Sequence, residues 1–240
     1  MFRFALKIMP AIDFPLHYQS QDSQEHFVPA TGWGGLLGWY DPLVAIFAQE
    51  RLFKQQLLVQ SDICAGERVL DVGCGTGTLA LAIASAKPEC KVVAVDVDAN
   101  VLQLARKKDA LGQVEWRLGN ASKLADKDAS FHHIFCTLVL HHLLPAEKVR
   151  ALDEIARLLV PSGKLHIADF CAPASTWARL RFLPVRLIDG WKRTECNVRG
   201  RLPGIIRSSG FSDVSEVGAY ASLLGTIRCY QAKFTGTNIT

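Results

Sequence analysis

Val69-Leu70-Asp71-Val72-Gly73-Cys74-Gly75-Thr76-Gly77-Thr78-Leu79 is the stretch from which the rest of the chain can be read. Val69 to Val72 has the length and apolarity of a short buried strand. Thr78 to Lys87 (TLALAIASAK) reads as a helix that Pro88 stops. Three glycines between them let the chain turn sharply and let a ligand reach the backbone without Cβ obstruction. Their spacing is G-x-G-x-G, not the G-x-G-x-x-G of the dinucleotide fingerprint. Asp71 stands two residues before the first glycine, where a carboxylate suits a ligand bearing an ammonium group and would repel a pyrophosphate. The next strand, Val92-Val93-Ala94-Val95-Asp96, ends on a second carboxylate 21 residues beyond Gly75. From that position Asp96 can accept hydrogen bonds from both hydroxyls of a ribose.

Working outward, the same strand–helix alternation continues. A helix is expected over Ala99–Ala110 and a strand over Val114–Leu118. A nearly unbroken apolar strand follows over His133–Val139, then an amphipathic helix over Ala146–Val160 ended by Pro161-Ser162-Gly163. A fifth strand is expected at Lys164–Asp169, a helix at Leu202–Ser209, and strands at Val214–Val217 and Thr226–Lys233. This order predicts an α/β, Rossmann-like, doubly wound sheet of seven mostly parallel strands. The last strand should be antiparallel, because no long helix separates it from the sixth. Before the core, Trp33–Ser61 has helical apolar spacing, with Asp41-Pro42 as a start signal, and residues 1–32 read as an irregular arm. The expected division is an arm with helices over 1–60 and a core over 61–240, with an insertion at about 171–201.

At 240 residues the chain fits one large domain. Its 49% apolar and 21% charged residues make an ordinary globular balance. No apolar run reaches the roughly 18–20 residues of a spanning helix, the first ten residues do not form a signal peptide, and seven scattered cysteines show no C-x-x-C spacing. Neither a disulfide framework nor a metal site is expected, and the cytoplasm is the expected compartment. Seven basic and two acidic residues lie between Arg179 and Arg201, a local +5 against +4 overall. The basic character therefore belongs to one segment, narrower than a nucleic-acid footprint, and no nucleic-acid partner is expected.

VLDVGCGTG (69–77), VVAVDVD (92–98), GNA (119–121), FHHIFCTLVLHHL (131–143) and ARLLVPSGKLHIAD (156–169), in this order, resemble the class I S-adenosylmethionine-dependent methyltransferases. Within them the likeness is to the ubiquinone/menaquinone-biosynthesis-type branch. The resemblance implies S-adenosylmethionine as cofactor and a small-molecule acceptor. It implies that Asp71 faces the methionine amino group, and that Gly73, Cys74, Gly75 and Gly77 line the methionyl and ribose moieties. Asp96 would hold the ribose, Val97 would pack on the adenine, Asn120 and Ala121 would edge it, and Thr137 would lie under the sulfonium. Asp is commoner than Asn at position 120, which reads equally as a turn residue. Cys74 reads as a small filler rather than a nucleophile.

Methyl transfer needs alignment, desolvation and, for some acceptors, a base. His141 and His142 follow the fourth strand and so fall at its C-terminal edge, where an imidazole can take a proton. Helix capping is the competing role. Tyr40, in Trp39-Tyr40-Asp41, resembles the family's N-terminal Tyr-Asp element and is a candidate to contact the acceptor, or else a core aromatic. The quinone-pathway relatives carry Arg-Asn in place of His141-His142, which puts a quinol acceptor in doubt. Residues 175–201 mix aromatics with arginines and are expected to form the acceptor lid, a solvated face, or a contact with an anionic membrane surface. A nicotinamide-dependent oxidoreductase and a non-catalytic cofactor binder remain the alternatives. The first is disfavoured by the glycine spacing and the lack of Tyr-x-x-x-Lys.

Overall fold

A computed structural model describes residues 40–235, with side chains from residue 50 onward. Its strands are β1 (Arg68–Val72), β2 (Lys91–Asp96), β3 (Val114–Leu118), β4 (Phe131–Thr137), β5 (Leu159–Phe170), β6 (Phe211–Ser222) and β7 (Gly225–Phe234). The helices are α1 (Tyr40–Gln60), α2 (Thr78–Ala86), α3 (Ala99–Lys108), α4 (Pro145–Leu158), α5 (Thr176–Arg181), α6 (Leu183–Asp189), α7 (Trp191–Val198) and α8 (Leu202–Ser208). A 3-10 turn spans Leu140–His142. The strands form one sheet in the order β3-β2-β1-β4-β5-β7-β6, and only β7 runs antiparallel to its neighbours.

The period-two pattern of the strands decides which residues meet which helices. Val69, Ala94 and Phe135 point to one face, where they join Phe53 and Leu57 of α1, Leu79 and Ile83 of α2, and Leu102 of α3. Leu70, Val93, Val95 and Ile134 point to the other, against Leu152 and Ile155 of α4 and Ile206 of α8. Both faces are covered, which is why the central strands read as continuous apolar runs.

Pro161-Ser162-Gly163 does not separate helix from strand as expected. Strand β5 already begins at Leu159, opposite Phe131, and resumes at Lys164 opposite His133, so the three residues form a bulge within the strand. Helix α4 accordingly ends at Leu158 rather than at Val160. Strand β6 is also longer than expected, because the β6–β7 hairpin extends past the sheet to Ser222 and Gly225.

Because β1 lies between β2 and β4, the chain leaves β1 in one direction and returns on the other side. The crevice beyond the C-terminal ends of β1 and β4 is the topological switch point, where open α/β sheets bind ligands. Gly77 ends the turn that enters this crevice. Its φ is +79°, and a Cβ there would lie 2.3 Å from the Trp116 ring, which Asp109 holds through Nε1. Gly77→Ala is therefore expected to cost roughly 2–4 kcal/mol through left-handed strain and overpacking, measurable by urea denaturation.

Candidate active site

The glycine turn is tied to the second strand by its own backbone. Gly73 N and Cys74 N donate to Val95 O at 2.8 and 3.0 Å, and Gly75 N donates to Asp96 Oδ2 at 2.8 Å. The other Asp96 oxygen accepts from Asp98 N at 3.0 Å. Each carboxylate oxygen has a second lone pair for a ligand hydroxyl. Gly73 is needed for a reason invisible in the motif, since a Cβ at this position would fall 2.2 Å from Val139 Cγ2. Around Gly75, by contrast, a Cβ would meet nothing within 4 Å among the described residues, which leaves room for a ligand there.

Two fully buried carboxylates sit at this end of the sheet, and their surroundings are opposite. Asp169 Oδ2 accepts from Leu140 N (2.7 Å) and His141 N (3.3 Å). Its Oδ1 accepts from Phe170 N (2.7 Å), from the His141 ring (2.7 Å) and from Asn197 Nδ2 (3.4 Å). Asp71 is equally inaccessible, yet neither of its oxygens has a hydrogen-bond partner among the described residues. Burial raises the Asp71 carboxyl to about 6, against the opposing pull of the Lys54 ammonium on α1. A desolvated carboxylate without a partner is costly, and a cationic ligand beside it would relieve that cost.

The remaining residues expected at the cofactor lie around the same crevice. Val97 is 68% exposed and follows Asp96 directly, as an apolar shelf. Thr137 is buried at the end of β4. Cys74 is buried, with its thiol pushed well up, chiefly by desolvation and then by the charges of Asp71 and Asp96, which leaves it un-ionised. Asn120 is exposed, and its Oδ1 accepts from Ser122 N at 2.9 Å, a local turn bond, with Ala121 half-buried between them. Tyr40 begins α1, but its side chain lies outside the described residues.

Beyond Thr137 the backbone enters the left-handed region at Leu138, with φ +57°, an unfavourable conformation for a bulky residue and one that clusters at functional sites. The 3-10 turn after it places His141 and His142 over a cavity of about 190 Å³. Its walls are mainly apolar, from Phe53, Leu138, Phe170, Leu224 and Ile227, with Glu50 of α1 and Ser222 as polar points. His141 is buried and bound to Asp169. His142 is exposed, and its Nδ1 lies 2.9 Å from Asp189 Oδ1 on α6. A carboxylate partner requires Nδ1–H, so in the neutral ring the lone pair of His142 lies on Nε2. His141 Nε2 lies 3.8 Å from the other Asp189 oxygen. One ligand atom from each of His141, His142 and Asp189 fall within 4.8 Å of one another, a separation one divalent ion can span.

His132 and His133 lie at the opposite end of β4, away from the cavity. His133 bridges Glu67 (3.1 Å) and His166 (3.0 Å), while His132 Nδ1 accepts from Arg68 N, so both serve the sheet. Burial lowers the ring of His133, and that of His166 well below the usual range.

Asp169, Asp189 and the Glu50–Lys54 pair were not singled out from the sequence. Asp169 could have been, since it closes an apolar strand at its C-terminal edge as Asp96 does. Asp189 carries no such signal. The segment expected as a lid folds as α5, α6 and α7, which meet the His pair through Asp189 and Asp169 through Asn197. The buried Lys148 of α4 pins it by donating to Leu143 O (2.5 Å) and Arg193 O (2.6 Å). Arg186 is paired with Glu195 and stacked on Trp191.

Comparison with known proteins fits this geometry. Residues 69–163 match the methyltransferase domain family. Demethylmenaquinone methyltransferase of Deinococcus radiodurans is 36% identical over 110 residues, 45% of each chain. The ubiquinone/menaquinone biosynthesis C-methyltransferase UbiE of Escherichia fergusonii is 32% identical over 132 residues, 53% of this chain and 52% of that one. The chain thus matches about half the length of these curated relatives. Among solved structures, the YcgJ protein of Bacillus subtilis superposes with a TM-score of 0.65 at 16% identity, covering 78% of this chain and all of that one. Magnesium protoporphyrin IX methyltransferase of Synechocystis PCC 6803 does so with 0.63 at 18%, covering 89% and 90%; at these identities the likeness is one of fold. By sequence match, residues 69–163 resemble a methyltransferase domain, with a likeness to the ubiquinone/menaquinone-biosynthesis methyltransferases.

Proposed function

We propose that the chain transfers a methyl group from S-adenosylmethionine to a small, largely apolar acceptor held in the cavity under the lid. The observation that carries this reading is Asp71, a buried carboxylate without a hydrogen-bond partner below an open glycine turn. It suits the ammonium of an amino-acid moiety, and Asp96 with Val97 suits a nucleoside beside it. The bound cofactor supplies an activated methyl on a sulfonium; the protein aligns, dehydrates and removes a proton. Phe53, Leu138 and Phe170 exclude water from the acceptor's side. His142, oriented through Nδ1 by Asp189, offers Nε2 to an acidic acceptor proton such as that of a phenol or thiol. His141, held by Asp169, stands beside it as a fixed wall. Tyr40 is retained as an acceptor contact on the family resemblance alone. The demethylmenaquinone and ubiquinone relatives favour an aromatic or lipid-like acceptor, although the His-His pair stands where the quinone-pathway branch has Arg-Asn.

Asp71→Asn separates cofactor binding from stability. In the ligand-free protein the raised Asp71 carboxyl makes the folded state bind its proton more tightly than the unfolded state. Stability therefore falls as pH rises from about 4 to about 6 and is flat above. Asparagine should remove that slope and stabilise the ligand-free fold by roughly 1–3 kcal/mol at pH 7–8, while abolishing S-adenosylmethionine binding in calorimetry. A variant that keeps wild-type affinity would reject the assignment.

Asp96→Ala should weaken S-adenosylmethionine by about 1.5–3 kcal/mol, the worth of charge-assisted hydrogen bonds, with NADH bound by neither protein. Unchanged affinity in a folded variant removes Asp96 from the ribose site.

With an acceptor found by labelled-cofactor screening, His142→Ala should lower turnover about 100-fold or more and lose the decline in rate toward acid pH. Cofactor affinity should stay intact. Asp189→Asn should give a smaller loss of the same kind. The assay is run with and without EDTA, because the His141–His142–Asp189 spacing also accepts a divalent ion. Full turnover in chelator supports proton transfer, and loss restored by added zinc refutes it in favour of a metal.

A further inference from the structure

The lid has an inner face that belongs to the site and an outer face that the site does not use. At the junction of α5 and α6, Phe182 keeps φ −82° and ψ −8°, so the two helices follow one another in nearly continuous right-handed winding. Phe182, Val185 and Asp189 then turn inward, the first two buried and the third bonded to His142. The opposite stripe holds Trp177, Leu180, Arg181, Pro184, Leu187 and Ile188, at the i, i+3, i+4, i+7 spacing of one helical face. Its large apolar members are 73% (Trp177), 50% (Leu180), 73% (Leu187) and 84% (Ile188) exposed, and Trp191 at the start of α7 adds another at 53%. An ordinary lid would show the reverse arrangement, with polar residues outward.

The charges on this face have one sign. Both acidic residues of the segment are engaged within the protein, Asp189 with the histidines and Glu195 with Arg186 and Arg199. Arg179, Arg181 and Lys192 are exposed and have no ion pair among the described residues, and Arg193 reaches only the carbonyl of Asp189. A second copy of the chain would bring like charges together across the same face. Apolar side chains bordered by unpaired cations match the boundary between acyl chains and anionic headgroups.

We propose that the outer face of α5–α6, with the start of α7, docks on an anionic lipid bilayer surface. Leu187, Ile188, Trp177 and Trp191 enter the headgroup region while Arg179, Arg181 and Lys192 pair with lipid phosphates. On the inner face of the same helices Phe182 packs on Phe170, a wall of the cavity, and Asp189 meets His142, so a docked segment brings that cavity near the bilayer boundary. This inference stands on the outer face alone and does not require the methyltransferase reading to hold.

Co-sedimentation of the full chain with vesicles of phosphatidylcholine, with and without phosphatidylglycerol, tests it. Binding is expected only to the anionic vesicles, falling as salt is raised. Quenching of tryptophan emission by lipids brominated on their acyl chains should accompany it. Arg179→Gln, Arg181→Gln and Lys192→Gln together should weaken binding on the order of one hundredfold. Leu187→Gln with Ile188→Gln should abolish the quenching, and both variants should keep the wild-type thermal unfolding because every changed side chain is exposed. Absence of binding at low salt, equal binding to neutral vesicles, or a self-association that these same substitutions abolish would each overturn the proposal.

Discussion

The Asp169 carboxylate joins three pieces of chain that are far apart in sequence. It caps the turn after β4 through Leu140 N and His141 N, fixes the His141 ring, and reaches Asn197 on α7. The same Asn197 side chain donates to Phe170 O at 2.7 Å, so α7 is fastened to the end of β5 at two neighbouring points. A buried charge is tolerable only when its lone pairs are used, and here the donors come from the sheet edge, the turn after β4 and α7 together. The turn that carries the His pair and helix α7 are thus both tied to this one group. Lys148 works to the same end from below, with its ammonium between the turn and α7.

Asp71 shows the other way a buried carboxylate can be treated. It is as inaccessible as Asp169, but among the described residues only Lys54 and the Ala80 backbone amide offset its charge. The fold retains a group that weakens it in the absence of ligand, as sites built for binding commonly do. The left-handed Leu138 at the end of β4 belongs to the same category, a local cost placed where the chain bends toward the cavity.

Much of this was legible along the chain. Alternation in β1, β2 and β4, the helix between Pro145 and Leu158, and the missing helix before β7 follow from local periodicity, and they define the sheet and its reversed last strand. The glycine turn and its bond to Asp96 were legible because strand, turn and carboxylate lie near one another in sequence. The Pro161-Ser162-Gly163 bulge was not, since its backbone is decided by pairing with β4 rather than by the turn preferences of its residues.

The sequence by itself determined the strand–helix order, the position of the cofactor crevice and the local excess of positive charge between Arg179 and Arg201, because each depends on short-range spacing or on composition. Only the tertiary structure decided which groups meet. It set Asp189 of the lid against His142, 47 residues earlier, and Asp169 against His141, 28 residues earlier. It also left the Asp71 carboxylate buried with no side-chain hydrogen bond among the described residues, and turned Ile188 and Trp177 outward. Hydrogen bonding and burial act on distance in space, and the helix packing that sets those distances is a property of the whole sheet.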